Sequence, residues 1–182
     1  MLKAEKGRPA NLDGRLQKEI KVYDLLDSLN IEYERVDHER ADTMEACIEV
    51  DKVLNTVLCK NLFLCNRQKT IFYLLLMPAD KVFKTKELSA QIGSSRLSFA
   101  SPEDMISHLD IEPGSVSVMG LMNDPENEVN LLIDKDLMKE EYFGCHPCVN
   151  TSSLKLKTSD LLTKFLPAVH HTYIEVELFG VE

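Results

Sequence analysis

The chain has 182 residues, 44% of them hydrophobic, and a formal net charge of −9. That length and apolar content suffice for one domain with a substantial core, and the acidic total excludes indiscriminate polyanion binding. No apolar run nears the roughly 20 residues of a transmembrane helix. The opening MLKAEKGRPANLDGR holds no secretory signal, and five cysteines, an odd number, read as reduced thiols of a cytoplasmic protein.

Residues 1–14, broken by Gly7, Pro9 and Gly14, read as a flexible leader, and residues 15–182 as one domain. Leu16, Ile20, Tyr23, Leu26 and Leu29 recur at helical spacing and predict an amphipathic helix that stops at Asn30. Residues 31–36 alternate as a short strand. Thr43 opens a second helix to about Leu54, with Met44, Cys47, Ile48 and Val50 as its apolar side.

Val57–Leu64 is apolar enough for a buried strand, yet Lys60 and Asn61 stand in its middle. Alternation puts Lys60 on the face of Leu58, Leu62 and Leu64, and Asn61 on that of Cys59 and Phe63. A lysine there either snorkels to water or edges a polar pocket. The polar run 66–69 and a second apolar run to Met77 predict a hairpin ended by Pro78. Between Lys60 and Arg96 seven basic residues face two acidic ones, a local +5 that leaves −14 for the rest. Such a region suits a small anionic contact, and scattered solvated charge produces the same count.

Thr85–Ile92 reads as a helix stopped by Gly93. Leu97–Ala100 is a short apolar run, and Ser101-Pro102-Glu103-Asp104 carries the cap, proline and acidic turn of another helix. Pro113 to Leu121 is a small-residue loop or strand edge; Val129–Ile133 is a strand; residues 134–141 are a charged turn or short helix; and residues 144–148 form a loop. A strand over 150–156, a helix from Thr158 closed by Pro167, and a strand over 173–178 complete the order. Strands and helices without a βαβ rhythm predict an α+β domain with a mixed, curled sheet.

Cys145-His146-Pro147-Cys148 invites a thiol–disulfide reading, but it lies late in the chain and Val149-Asn150-Thr151-Ser152 is a poor helix start. Zinc lacks a fourth ligand there, and no P-loop, G-x-G-x-x-G turn or serine elbow occurs. His170 and His171 stand at a helix end, and His38 and His108 have no companions in the sequence.

Three separated pieces remain: Lys60-Asn61-Leu62-Phe63-Leu64; Gly114-Ser115-Val116-Ser117 running into Gly120-Leu121-Met122-Asn123-Asp124; and Cys145-His146-Pro147 with Asn150 and Thr151. In this order they resemble the YbaK/ProX aminoacyl-tRNA editing family, and within it the freestanding prolyl-tRNA editing deacylases of the ProX type, over about Arg15 to Leu178. The resemblance implies a barrel-like sheet flanked by helices and a cytoplasmic hydrolase that deacylates mischarged tRNA, typically alanyl-tRNA(Pro), in transient contact with prolyl-tRNA synthetase and with neither metal nor cofactor. By resemblance, Lys60, Gly114 and His146 serve catalysis: Lys60 contacts the terminal adenosine or its phosphate, the Gly114 loop offers backbone groups to the ester, and His146 lines the aminoacyl pocket. Asn61, Ser115, Val116, Ser117, Gly120 and Cys145 then hold the substrate. The family's loop carries proline and phenylalanine where this chain has Val118 and Met119, which removes a fixed φ and bears on pocket width and amino-acid preference. A non-catalytic tRNA-end-binding module of the same fold is the alternative, and a redox protein a distant third.

Overall fold

The computed structural model describes residues 1–41, 43–57 and 59–180, without the side chain of Met44. Two sheets and their helices form the α+β domain. The first sheet is antiparallel, in the order β1 (Ala4–Lys6), β2 (Tyr33–Asp37), β8 (Ser152–Lys157), β7 (Tyr142–Cys145). The second is mixed: β5 (Ser98–Phe99), β3 (Cys59–Cys65), β4 (Phe72–Pro78), β6 (Val129–Asp134), β9 (Tyr173–Val176), with β4, β6 and β9 parallel. Neither sheet closes, so the expected curled sheet is two open ones whose seam runs between β3 and β7.

The inner strands of the second sheet, β4 and β6 above all, are buried on both faces, and alternation sorts their residues. Phe63, Cys65, Phe72, Leu74, Leu76, Val129, Leu131 and Ile133 face the main core. Leu64, Tyr73, Leu75, Met77 and Leu132 face a smaller core covered by Leu88 of α3 (Thr85–Ile92), Leu97 and Leu178. The hairpin joining β3 to β4 is the expected one: Asn66 Oδ1 accepts from the N–H groups of Thr70 and Ile71, and Lys69 takes a left-handed φ of 55°. The helix α4 (Pro102–Leu109) carries a complete Ser101/Asp104 capping box.

The leader departs from expectation, because Ala4–Lys6 pairs with β2. An electrostatic network holds it. Buried Arg35 binds Glu5 (2.8 Å) and Asp37; Arg15 binds Asp37 (2.8 Å) and Glu19 (2.6 Å) of α1 (Gln17–Ser28); Ser152 of β8 donates to Asp37. Burial opposes the charge on Asp37, but the two guanidinium groups outweigh it and hold its carboxyl below the usual range.

The last helix ends one residue after Pro167: the chain from α5 (Thr158–Asp160) passes through a π turn (Leu161–Phe165) into α6 (Leu166–Ala168), and the wider turn accommodates the residue that lacks an N–H. Just beyond, the buried His171 ring donates to Val169 O (2.6 Å) and meets Asp124 Oδ2 (2.9 Å), while Asp124 also accepts from the N–H groups of Glu128 and Val129. His171→Ala leaves that carboxylate buried without its ring partner, and urea unfolding should show a loss of about 3 kcal/mol.

Candidate active site

The seam between the sheets holds a cavity of about 60 Å³, lined by Ala41, Cys47, Val50, Asp51, Cys59, Asn61, Gly144, Cys145, His146 and Ser153. One wall is the helix α2 (Met44–Leu54), capped by Thr43 Oγ1, which accepts from Ala46 N. Val50 and Leu54 pack on Val36 of β2, and Asp51 lies next to them at the cavity. β3 supplies Cys59 and Asn61, and β7 supplies Gly144 and Cys145. A Cβ on Gly144 would stand 3.0 Å from Thr56 Oγ1 and 3.7 Å from Asp51 Oδ1, so the glycine is what lets β7 approach the end of α2.

Of the residues singled out in the sequence, Asn61, Cys145 and His146 meet in this cavity. Ser117, buried, does not line the cavity but lies close enough to favour the Cys145 thiolate against the effect of burial. Ser115 instead lines a second recess of about 390 Å³ with Asn150, Thr151, Arg15 and Lys18. Gly114 takes a φ of 87°. The loop uses several of its own donors: Ser115 N to Glu112 O, Met119 N to Ser117 Oγ, and Gly120 N to Ser117 O. Val116 and Gly120 are buried, the latter where a Cβ would come within 2.5 Å of Ile111 Cδ1. Neither lines the cavity.

Val118 and Met119 are wholly buried at the start of a 3₁₀ helix (Val118–Asn123) capped by Ser117. Valine thus occupies the first helical position, where proline is also well accommodated.

Lys60 points to the other side of β3. Its half-buried ammonium donates to Lys81 O at 2.7 Å, and Lys81 is itself held by Asp134, Asp136 and Leu178 O. Leu58, its expected neighbour on that face, lies outside the described residues.

His146 Nδ1 faces Ser152 O at 2.9 Å. A carbonyl only accepts, so Nδ1 carries the proton and Nε2 is left with its lone pair. Burial lowers the pKa of His146, the bond to Ser152 opposes that, and nearby His38 reinforces it, so the ring is neutral near pH 7. His38, solitary in the sequence, reaches Ser153 Oγ at 2.9 Å, and its ring centre lies 6.3 Å from that of His146.

Burial pushes the Cys59 and Cys148 thiols up to about 12 and Cys145 higher still. Thiol–disulfide exchange needs a thiolate, so the C-x-x-C pair is poorly poised for it. Among the described residues no group of three His, Cys, Asp or Glu side chains could hold a metal ion, and no helix is long and apolar enough to cross a membrane.

Sequence reasoning missed Asp51. Burial raises its carboxyl to about 6 against a weak opposing bond from Thr56. The only signal was its place four residues after Cys47, on the buried side of α2. Because the native state binds the proton more tightly than the unfolded chain, stability from this group is full below about pH 4 and falls as pH rises through about 6. Asp51→Asn should therefore raise the urea midpoint at pH 8 and leave it unchanged at pH 4. The gain is about 1 kcal/mol once discounted for solvent reaching the group.

Residues 38–164 match the model of the aminoacyl-tRNA editing domain family. The chain is 33% identical to the prolyl-tRNA editing protein ProX of Acetoanaerobium sticklandii, over 84% of this chain and 93% of that protein. It is 29% identical to the prolyl-tRNA synthetase associated domain-containing protein 1 of Danio rerio, over 93% and 91%. A crystal structure described as a candidate trans-editing enzyme for prolyl tRNA synthetase superposes with a TM-score of 0.66 at 14% identity, covering 90% of this chain and 97% of that one.

Proposed function

Because the chain belongs to the aminoacyl-tRNA editing domain family, we propose that it is a cytoplasmic trans-editing hydrolase that deacylates mischarged tRNA, with alanyl-tRNA(Pro) as its substrate. The observation that carries this reading is the meeting of Asn61, Cys145 and a neutral His146 in one small cavity. The cavity, about 60 Å³, is small, in keeping with a small acyl side chain.

Hydrolysis adds water to the ester carbonyl and breaks the bond between the acyl carbon and the ribose oxygen, which takes up a proton. An activated ester needs no protein nucleophile. A positioned water and a stabilised oxyanion are sufficient. In this reading His146 Nε2 accepts a proton from the water or from the adjacent ribose hydroxyl, and Asn61 orients the acyl group and faces the developing oxyanion; the Gly114 loop, whose Ser115, Met119 and Gly120 N–H groups are bonded within it, does not line the cavity. Lys60, whose ammonium lies on Lys81 O on the opposite face of β3, meets the terminal adenosine or its phosphate outside the cavity, and the +5 stretch up to Arg96 receives acceptor-end phosphates. Transient contact with prolyl-tRNA synthetase would deliver the substrate.

The test is single-turnover deacylation of alanyl-tRNA(Pro). The intact protein should hydrolyse it, and His146→Ala should slow it about a hundredfold or more; binding without turnover would instead mark a non-catalytic module. Lys60→Ala should lose far more activity than Lys69→Ala, whose residue sits in the exposed hairpin turn. Equal losses would remove Lys60 from the substrate.

A further inference from the structure

Among the described residues lining the cavity, Asp51 has no counter-charge. Asp51 Oδ2 is buried and has no hydrogen-bond partner among the described residues, and Oδ1 has only Thr56 Oγ1 at a long 3.5 Å. The titratable groups sharing the cavity are Cys47, Cys59, Cys145 and His146. Their thiols are held protonated by burial and the imidazole is neutral. Lys52, next along α2, is exposed on the helix surface and does not line the cavity. A carboxylate left so is a standing cost to the fold. Stable proteins retain such groups where a ligand completes them.

We propose that Asp51 receives the α-ammonium group of the aminoacyl ester, making the cavity selective for esters with a free amine over N-acylated ones. This rests on the deacylase reading above. The α-ammonium is the one cation at the charged end of an aminoacyl-tRNA, where every phosphate is negative and adenine is neutral. An amide-capped nitrogen is neutral and gives the carboxylate no counter-charge. Asn61 on β3 and His146 after β7 stand on other walls of the same cavity. An ester anchored by its nitrogen at α2 would thus present its carbonyl toward them. Asp51 is a binding and specificity residue in this scheme and takes no proton from the reacting water.

The experiment compares alanyl-tRNA(Pro) with N-acetyl-alanyl-tRNA(Pro), each with the wild-type protein and with Asp51→Asn, reading kcat/KM. The expected result is a wild-type preference for the free amine of about 10- to 100-fold, the worth of one charge-assisted hydrogen bond. Asp51→Asn should lose most of that preference by slowing the free-amine ester alone. Its urea midpoint, at or above that of the wild type at pH 8, excludes misfolding as the reason. If Asp51→Asn keeps the preference, or slows both esters equally, the assignment of Asp51 is overturned while the deacylase reading stands. If the wild type hydrolyses neither ester, the deacylase reading falls and this inference with it.

Discussion

The whole site depends on the alternation of side chains along one strand. β3 sends Cys59, Asn61 and Phe63 into the main core and the seam, and Lys60, Leu62 and Leu64 toward the smaller core. A one-residue slip of β3 against β4 would reverse every one of these. Register is fixed by the apolar pattern on both faces and by Asn66, which satisfies the hairpin backbone from its own side chain. Two adjacent polar residues thereby serve two surfaces: Asn61 reaches the cavity, and Lys60 comes out where its ammonium finds a carbonyl. The two faces expected from alternation thus become a division of labour across a sheet.

Much of the fold was legible because its signals are local. The hairpin, the capping box at Ser101 and the apolar stripe of α1 are written within a few residues of where they act. Elements held by distant partners were not legible. Ala4–Lys6 is too short and too charged to look like a strand, and becomes one because β2 offers an edge and Arg35 takes Glu5. Tyr142–Cys145 contains a glycine and passes for a loop, yet β8 fixes it. Pro167 signals a stop and the helix ends one residue later, but the π turn before it has no signal in the sequence. Of the site, the motif order pointed to Asn61, Cys145 and His146, which do meet; Asp51 and His38 joined them through tertiary structure alone.

The cavity's chemistry is set mainly by exclusion of water. Burial keeps the thiols protonated and His146 neutral, and it strands Asp51. These shifts share one cause. Together they make a lining that is polar but carries no positive charge. Cysteines in such a lining act as small, soft wall residues, so their number near the site says more about its dimensions than about redox chemistry. The Arg15–Asp37–Arg35 network on the other side of β2 is the contrast, with each of these charges matched by a partner from a different element.

Lys81 connects the site to the far end of the chain. Its carbonyl holds the Lys60 ammonium, while its own ammonium is gripped by Asp134, Asp136 and the Leu178 carbonyl, and the Leu178 N–H returns to Asp134. The described stretch after β9, residues 177–180, adds no strand, but it is a guy-rope for a lysine more than a hundred positions earlier. A chain cut just after Val176 would keep every strand of both sheets and still slacken the tether that sets where Lys60 stands.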